Sequence, residues 1–258
     1  MIGILDGRHA LITGGGTGIG AAIARSLAGA GAAVSLAGRR LQPLQEVARG
    51  LPKAAAVVAD ITREADNEAM VQAAREAHGP IDILIANAGA AETAPAGRID
   101  LALWQRMLDV NLTGAFLTAR AALPDLTRQG GPETGRRIVF VASTASLKGY
   151  PYVVAYCAAK HGVIGLARAL AAELTPQGVT VNAVCPGFTE TALLEGALAT
   201  AVAKTGRSRA EAETELVRRN PQGRFLRPEE VADTVLFLCT PAAQAITGQA
   251  ISISGGEV

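Results

Sequence analysis

Tyr156 and Lys160, in the run Tyr156-Cys157-Ala158-Ala159-Lys160, stand four residues apart, and Ser143 precedes the tyrosine by thirteen. On a helix such a spacing stacks the two side chains one turn apart on a common face, bringing an ammonium close to a phenol. A phenol of unperturbed pKa near ~10 is a poor base at neutral pH. A neighbouring cation stabilises the phenolate, so the expectation is a Tyr156 pKa lowered enough for general acid–base work. Ser143 closes the apolar run Arg137-Ile138-Val139-Phe140-Val141-Ala142, where its hydroxyl is placed to hold a substrate oxygen. The same tyrosine–lysine spacing also describes a solvated helix face. The rest of the chain separates the two readings.

Thr13-Gly14-Gly15-Gly16-Thr17-Gly18-Ile19-Gly20 comes after the apolar run His9-Ala10-Leu11-Ile12 and opens the helix-like stretch Ala21 to Leu27. A glycine-rich turn between a first strand and a first helix lets backbone N–H groups approach a pyrophosphate at the positive end of the helix. The spacing is G-x-x-x-G-x-G rather than G-x-G-x-x-G, and a glycine cluster alone is a weak signal. Its position at the first strand-to-helix junction argues against a merely flexible turn.

These runs, with Asn87-Ala88-Gly89 after a fourth apolar segment, Asn111, Ser143, Tyr156-x-x-x-Lys160 and Pro186-Gly187, resemble the short-chain dehydrogenase/reductase family in its single-domain form. The resemblance runs from Leu5 to the C-terminus with the motifs in order. One departure is Ala86, where the family more often has a second asparagine. The resemblance implies hydride transfer between a nicotinamide dinucleotide and a carbonyl or secondary alcohol. It assigns the proton to Tyr156, the ribose and the support of the phenolate to Lys160, the substrate oxygen to Ser143, and a proton-relaying water to Asn111. It further implies that Gly14, Thr17, Gly18, Ile19 and Gly20 cradle the phosphates. Asp60 and Ile61 meet the adenine, Asn87, Ala88 and Gly89 line the adenosine ribose side, and Pro186, Gly187 and Thr189 orient the carboxamide.

Cofactor choice is expected at the end of the second strand, Val34-Ser35-Leu36-Ala37-Gly38-Arg39-Arg40. An acidic residue there would bind a ribose 2′-OH; this chain has Gly38 and then two arginines, which pair well with a 2′-phosphate. NADP(H) is therefore the preferred expectation, with NAD(H) as the alternative. A solvated arginine pair at a loop is the bland counterpart.

At 258 residues the chain suits one α/β domain over 1–258, and its net charge of +1 gives no electrostatic case for nucleic acid or an acidic membrane surface. No stretch approaches the roughly 18 to 20 apolar residues of a membrane span, and the N-terminus lacks a signal-peptide pattern. Cys157, Cys185 and Cys239 have no metal-ligand spacing, which suits reduced thiols and a cytoplasmic location. No metal site is expected. His161, beside Lys160, points off the Tyr156/Lys160 face and reads as structural.

Short apolar runs alternate with helical segments, the pattern of a Rossmann-type, seven-stranded parallel sheet covered on both faces. Strands are expected at 10–13, 33–37, 55–59, 81–86, 138–142, 179–184 and 250–252. Helices are expected near 18–30, 41–50, 64–78, 101–129, 155–174 and 228–238. The stretch from Gln129 to Gly135 reads as an exposed loop, and 189–220 as a helical lid over the substrate. Substrate-facing candidates are Ser143, Leu147, Tyr150, Val153, Phe188 and Leu193, with Leu194 beside them, a mostly apolar wall. By resemblance to 3-oxoacyl thioester reductases, aromatic-polyketide ketoreductases and 3-hydroxybutyrate dehydrogenases, the expected substrate is a β-keto acyl thioester or related ketone. The alternative is NAD-dependent oxidation of a 3-hydroxy acid or cyclic alcohol. Lys204, Arg207, Arg209, Arg218 and Arg219 on the lid could meet phosphates or a carboxylate, or simply pair with Glu211, Glu213 and Glu215. Second apolar stripes on the helices at 101–129 and 155–174 lead to the expectation of a homotetramer.

Overall fold

The computed structural model describes residues 3–129 and 135–258. Most of the breaker-rich segment before the fifth strand, from Gly130 to Thr134, lies outside the described residues. Strands and helices alternate as β1 (His9–Thr13), α1 (Gly18–Gly29), β2 (Ala33–Gly38), α2 (Leu41–Arg49), β3 (Ala54–Val58), α3 (Glu64–His78) and β4 (Ile83–Ala86). Then come α4 (Leu101–Leu108), α5 (Gly114–Leu126), β5 (Arg136–Val141), α6 (Val154–Leu174) and β6 (Val179–Pro186). The chain ends with α7 (Ala192–Thr205), α8 (Arg209–Val217), α9 (Pro228–Cys239) and β7 (Ala250–Ile253).

All strand pairs are parallel, in the order β3-β2-β1-β4-β5-β6-β7. A parallel sheet buries both faces, and the period of two along each strand sends alternate side chains to opposite layers. Ala10 and Ile12 of β1, Ile83 and Ile85 of β4, and Val139 and Val141 of β5 pack with Ile23, Leu27, Val231 and Val235 of α1 and α9. Leu11, Leu84, Ile138 and Phe140 go the other way, against Met70, Ala119, Val163 and Ala167 of α3, α5 and α6.

The chain leaves β1 for β2 on one side, while β4 pairs on the other. That reversal opens a crevice at the carboxyl ends of β1 and β4, the place where open α/β sheets bind ligands. At the opposite end of the sheet, Asp82 accepts from the His9 N–H and pairs with Arg8 and Arg128. This charged lacing ties together the amino ends of β1 and β4, at the far end of the sheet from the crevice.

One expectation needs correction. The helix expected over 101–129 is interrupted by a π turn, Asp109–Thr113, and stops at Leu126. The stretch 189–220 is helical as expected and divides into α7 and α8, with a small core of its own, Leu194, Leu198 and Ala212, against which Phe188, Leu216 and Phe225 pack. Ser208 and Glu211 form a capping box that starts α8 afresh after Gly206 ends α7 in the left-handed region.

Candidate active site

The crevice is walled first by the glycine-rich turn after β1. Gly14 and Gly18 have φ of 66° and 51°, in the left-handed region. A Cβ on Gly20 would lie 2.2 Å from the Gly14 carbonyl oxygen and 2.6 Å from Asn87 Nδ2. Only bare backbone fits so tight a turn. At its end, α1 begins with Thr17, whose side chain makes no capping bond, and the first turn carries no acidic residue. Its N–H groups and the positive helix end are therefore available to an anion.

Thr13, the first residue of the glycine-rich run but not among the expected site residues, ties this turn to the loop after β4. Its Oγ1 accepts from the N–H groups of Asn87 and Ala88, both at 3.1 Å, while Asn87 Nδ2 donates to the Thr13 carbonyl at 2.9 Å. The available signal was a hydroxyl at the carboxyl end of β1, where it faces the neighbouring strand.

Asn111 lies in the π turn, 1% exposed. It donates to the carbonyls of Ala90 at 2.8 Å and Met107 at 3.0 Å. Single π turns widen a helix by one residue and recur at functional sites. Gly89 lies between two of the expected catalytic groups. A Cβ there would be 2.8 Å from Asn111 Oδ1 and 3.5 Å from Lys160 Nζ. The spacing that separates Asn111 from Lys160 in sequence is thus closed in the fold.

Ser143 comes after β5 with extended backbone and caps a short 3₁₀ turn, its Oγ accepting from the Ala145 N–H at 3.1 Å. Tyr156 and Lys160 occupy one face of α6, the ammonium 5.8 Å from the phenol ring centre. Lys160 is buried and donates to the Val141 carbonyl at 2.9 Å.

The expected lowering of the Tyr156 pKa is overturned. Burial pushes the phenol up to about 12, with the Ser143 hydroxyl pulling the other way. The same desolvation pushes Lys160 down to about 8. Both shifts favour the neutral forms, because the enclosed site penalises phenolate and ammonium alike. Among the influences on Tyr156, burial is the largest, and the Ser143 hydroxyl offsets it only in part.

Arg39 and Arg40, just past β2, are exposed and make no ion pair among the described residues. The Arg39 charge reaches Asp60, whose carboxyl is held below its usual range chiefly by the Thr62 N–H, bonded to Oδ1 at 3.0 Å. Neither Asp60 nor Thr62 caps α3; Arg63 stands at the cap without a side-chain bond. Ile61 is buried beneath Gly114. At the end of β6, Thr189 is buried and donates from its hydroxyl to the Gly187 carbonyl at 3.0 Å. The methyl of Thr191, at the root of α7, would lie 3.0 Å from a Cβ on Gly18, so the start of α7 meets the glycine-rich turn.

The expected substrate wall is only partly assembled. Leu147 and Leu193 are exposed, Tyr150, Val153 and Phe188 half-buried, and Leu194 belongs to the lid core. Three of the five basic residues at 204–219 are engaged within the chain, with Arg219 stacked over the Tyr150 ring. Arg209 makes a bidentate pair with Glu195, at 2.8 and 2.9 Å, and also pairs with Glu213. Lys204 donates to the Thr93 carbonyl at 3.0 Å, joining the end of α7 to the segment after β4. His161 Nδ1 donates to the Cys157 carbonyl at 2.9 Å, off the Tyr156 face. The three cysteines are buried and free, and among the described residues no group of metal-binding side chains is gathered. Among the same residues no helix is long and apolar enough to cross a membrane.

A family model described as enoyl-(acyl carrier protein) reductase matches residues 14–257. A cis-4-hydroxycyclohexanecarboxylate dehydrogenase of Sinomonas cyclohexanicum is 37% identical, over 96% of both chains. The crystal structure of an actinorhodin polyketide ketoreductase variant with NADPH superposes with a TM-score of 0.92 at 35% identity, covering 100% of this chain and 99% of that one.

The chain belongs to the short-chain dehydrogenase/reductase family.

A further member with solved structure is a 3-ketoacyl-(acyl-carrier-protein) reductase of Brucella melitensis complexed with NADH. It has a TM-score of 0.88 at 34% identity, covering 98% of this chain and 99% of that one. As a short-chain dehydrogenase/reductase the protein is an oxidoreductase that works with a nicotinamide dinucleotide on a carbonyl or secondary alcohol. The bare glycine turn and the uncapped start of α1 fit the phosphates of such a cofactor.

Proposed function

We propose that this enzyme reduces a β-keto acyl thioester or a related ketone with NADP(H). The observation that carries the reading is the convergence of Asn111 and Lys160 on Gly89, with Tyr156 and Ser143 beside them at the carboxyl end of β5. Gly14, Thr17, Gly18, Ile19 and Gly20 would hold the pyrophosphate. Asp60 and Ile61 would meet the adenine, Asn87 to Gly89 the adenosine ribose side, and Pro186, Gly187 and Thr189 the carboxamide. Arg39 and Arg40, with no ion pair at either guanidinium among the described residues, would read a 2′-phosphate. When bound, the dinucleotide supplies the hydride at its nicotinamide ring.

The chain's own residues handle the oxygen and the proton. Ser143 donates to the carbonyl oxygen and orients it toward Tyr156. Tyr156 keeps its proton at neutral pH, being pushed up to about 12, and so is ready to give it to a developing alkoxide. Lys160, anchored on Val141, stabilises the phenolate left behind. Asn111 holds the water that returns a proton toward Lys160.

The lid of residues 189–220 closes the substrate side of the single domain 1–258, and the protein works in the cytoplasm as a homotetramer. A second reading, NAD-dependent oxidation of a cyclic secondary alcohol or 3-hydroxy acid, is favoured by the similarity to the hydroxycyclohexanecarboxylate dehydrogenase.

The test tracks cofactor absorbance with acetoacetyl-coenzyme A, ethyl acetoacetate, 4-methylcyclohexanone and 3-hydroxybutyrate, each with both cofactors. Fastest turnover of a ketone with NADPH is expected; fastest turnover of an alcohol with NAD would support the second reading. Tyr156→Phe should lower turnover by about 10² to 10⁴ while NADPH still binds. Near-normal turnover would sink the assignment.

A further inference from the structure

Glu257, one residue from the end of the sequence, has a side chain only 2% exposed. A carboxylate so enclosed must be satisfied by donors. Lys148 Nζ lies 3.1 Å from Oε1 and also donates to the Glu257 carbonyl at 3.2 Å. The Tyr150 hydroxyl donates to Oε1 at 2.6 Å. That hydroxyl has one proton, so toward Thr144 Oγ1, 2.7 Å away, it acts as acceptor. On the other side, Oε2 would be 3.3 Å from a Cβ on Gly187.

These partners belong to two loops. Lys148, Tyr150 and Thr144 lie between Ser143 and Tyr156, and Gly187 lies between β6 and Thr189. The first loop carries Gly149 and Pro151, and Tyr152 beyond them has a φ of 69°, a left-handed conformation unusual for a bulky side chain. The Tyr152 carbonyl accepts from the Ala94 N–H at 2.8 Å. The Tyr150 ring also has the Arg219 guanidinium, from the chain just past α8, 5.2 Å from its centre. Tyr150 is thus where the catalytic loop, the lid and the C-terminal segment meet, and Glu257 is the group that fixes its hydroxyl. Burial, with Glu257 as acceptor, holds the Tyr150 phenol above its ordinary pKa, so it stays a donor.

We infer that Glu257 is a positioning residue for substrate: through its bond to Tyr150 it sets the pocket wall between Ser143 and Tyr156. The inference rests on the ketone-reduction reading of the site. Without the carboxylate, Tyr150 loses its hydrogen-bond anchor and the loop between Ser143 and Tyr156 relaxes. The consequence falls first on how well the ketone is held, because the glycine-rich turn assigned to the dinucleotide phosphates makes no bond to this network among the described residues.

The experiment compares Glu257→Leu, Glu257→Gln, Tyr150→Phe and Glu257→Leu with Tyr150→Phe together. The substrate is acetoacetyl-coenzyme A, ethyl acetoacetate or 4-methylcyclohexanone, whichever the parent reduces fastest. Glu257→Leu should raise the ketone KM about tenfold with kcat nearly unchanged, the signature of lost substrate binding. The NADPH Kd, read by fluorescence, should stay within about twofold. Tyr150→Phe should reproduce that KM, Glu257→Gln should restore most of it by keeping an acceptor, and the double variant should be no worse than either single one. An unchanged KM, an additive double variant, or equal losses in KM and NADPH Kd would overturn the inference. Should Glu257→Leu not fold, an unchanged KM in Tyr150→Phe overturns it alone. Failure of the underlying reading is distinguishable, because it appears as normal turnover in Tyr156→Phe.

Discussion

Asn111 and Ala90 hold one another by reciprocal bonds. The amide Nδ2 donates to the Ala90 carbonyl at 2.8 Å, and the Ala90 N–H returns a bond to Oδ1 at 3.2 Å. The π turn is thereby fixed to the loop after β4, and Gly89 leaves just enough room for Oδ1 and Lys160 Nζ.

Gly89→Ala tests that fit. Its backbone is outside the left-handed region, so the effect is the added methyl, 2.8 Å from Asn111 Oδ1. Overpacking of this kind costs about 1–3 kcal/mol, and kcat should fall by about tenfold or more as Lys160 is displaced. Unchanged kcat with a normal melting temperature would show that the two groups do not need this separation.

The pH profiles of the two directions should diverge. Lys160 is charged below about 8 and neutral above, while Tyr156 keeps its proton until about 12. Reduction needs the phenol proton and benefits from the ammonium, so its kcat/KM should be level below about pH 7 and fall through about 8. Oxidation needs the tyrosine as base, so its rate should climb with pH as the phenolate fraction grows. Reduction that stays level to about pH 10 would show that Lys160 does not titrate where its burial puts it.

Replacing Arg39 and Arg40 together with alanine should raise the KM for NADPH far more than that for NADH. Bonds between charged groups are worth roughly 1.5–3 kcal/mol each, so the difference should be about tenfold or more. Equal effects on both cofactors would show that the arginines do not read the 2′-phosphate.

Light scattering coupled to size exclusion should give a mass near four times the 26.3 kDa chain. Phe116 on α5, Val154 on α6 and Phe237 on α9 are exposed apolar residues on helices whose other faces already cover the sheet. A single species at the chain mass, at micromolar concentration, would refute the assembly.

The sheet and the pairing of Tyr156 with Lys160 were legible because each depends on local pattern. Apolar runs such as Leu84 to Ala86 and Ile138 to Val141 need only a period and a length to be seen. Tyr156 and Lys160 share a helix face by spacing alone. The reciprocal tie of Asn111 to Ala90 was not legible, since it requires a π turn that no propensity marks. The pKa of Tyr156 was misread for a related reason. Spacing reveals which charge is near, but burial is a property of the whole packed site. Glu257 gives no local signal, because its partners lie more than a hundred residues away, at Lys148 and Tyr150. The charges at 204–219 were ambiguous in sequence, and in the structure Arg209 pairs both with Glu213 on its own helix and with Glu195 across from α7.

The π turn at Asp109–Thr113 bears on how this chain tolerates changes in length. A helix with one surplus residue is already out of step with itself. Deleting a single residue there would let α4 and α5 join as a regular α-helix, a gain in backbone regularity. Each residue of an α-helix is about 100° from the next, so the same deletion would swing Asn111, or the helix beyond it, off the Gly89 side. Shortening the chain by one would therefore regularise the helix but turn either Asn111 away from Gly89 or Ala115, Ala119 and Ala122 of α5 away from the sheet, so the surplus residue is what lets both faces point inward at once.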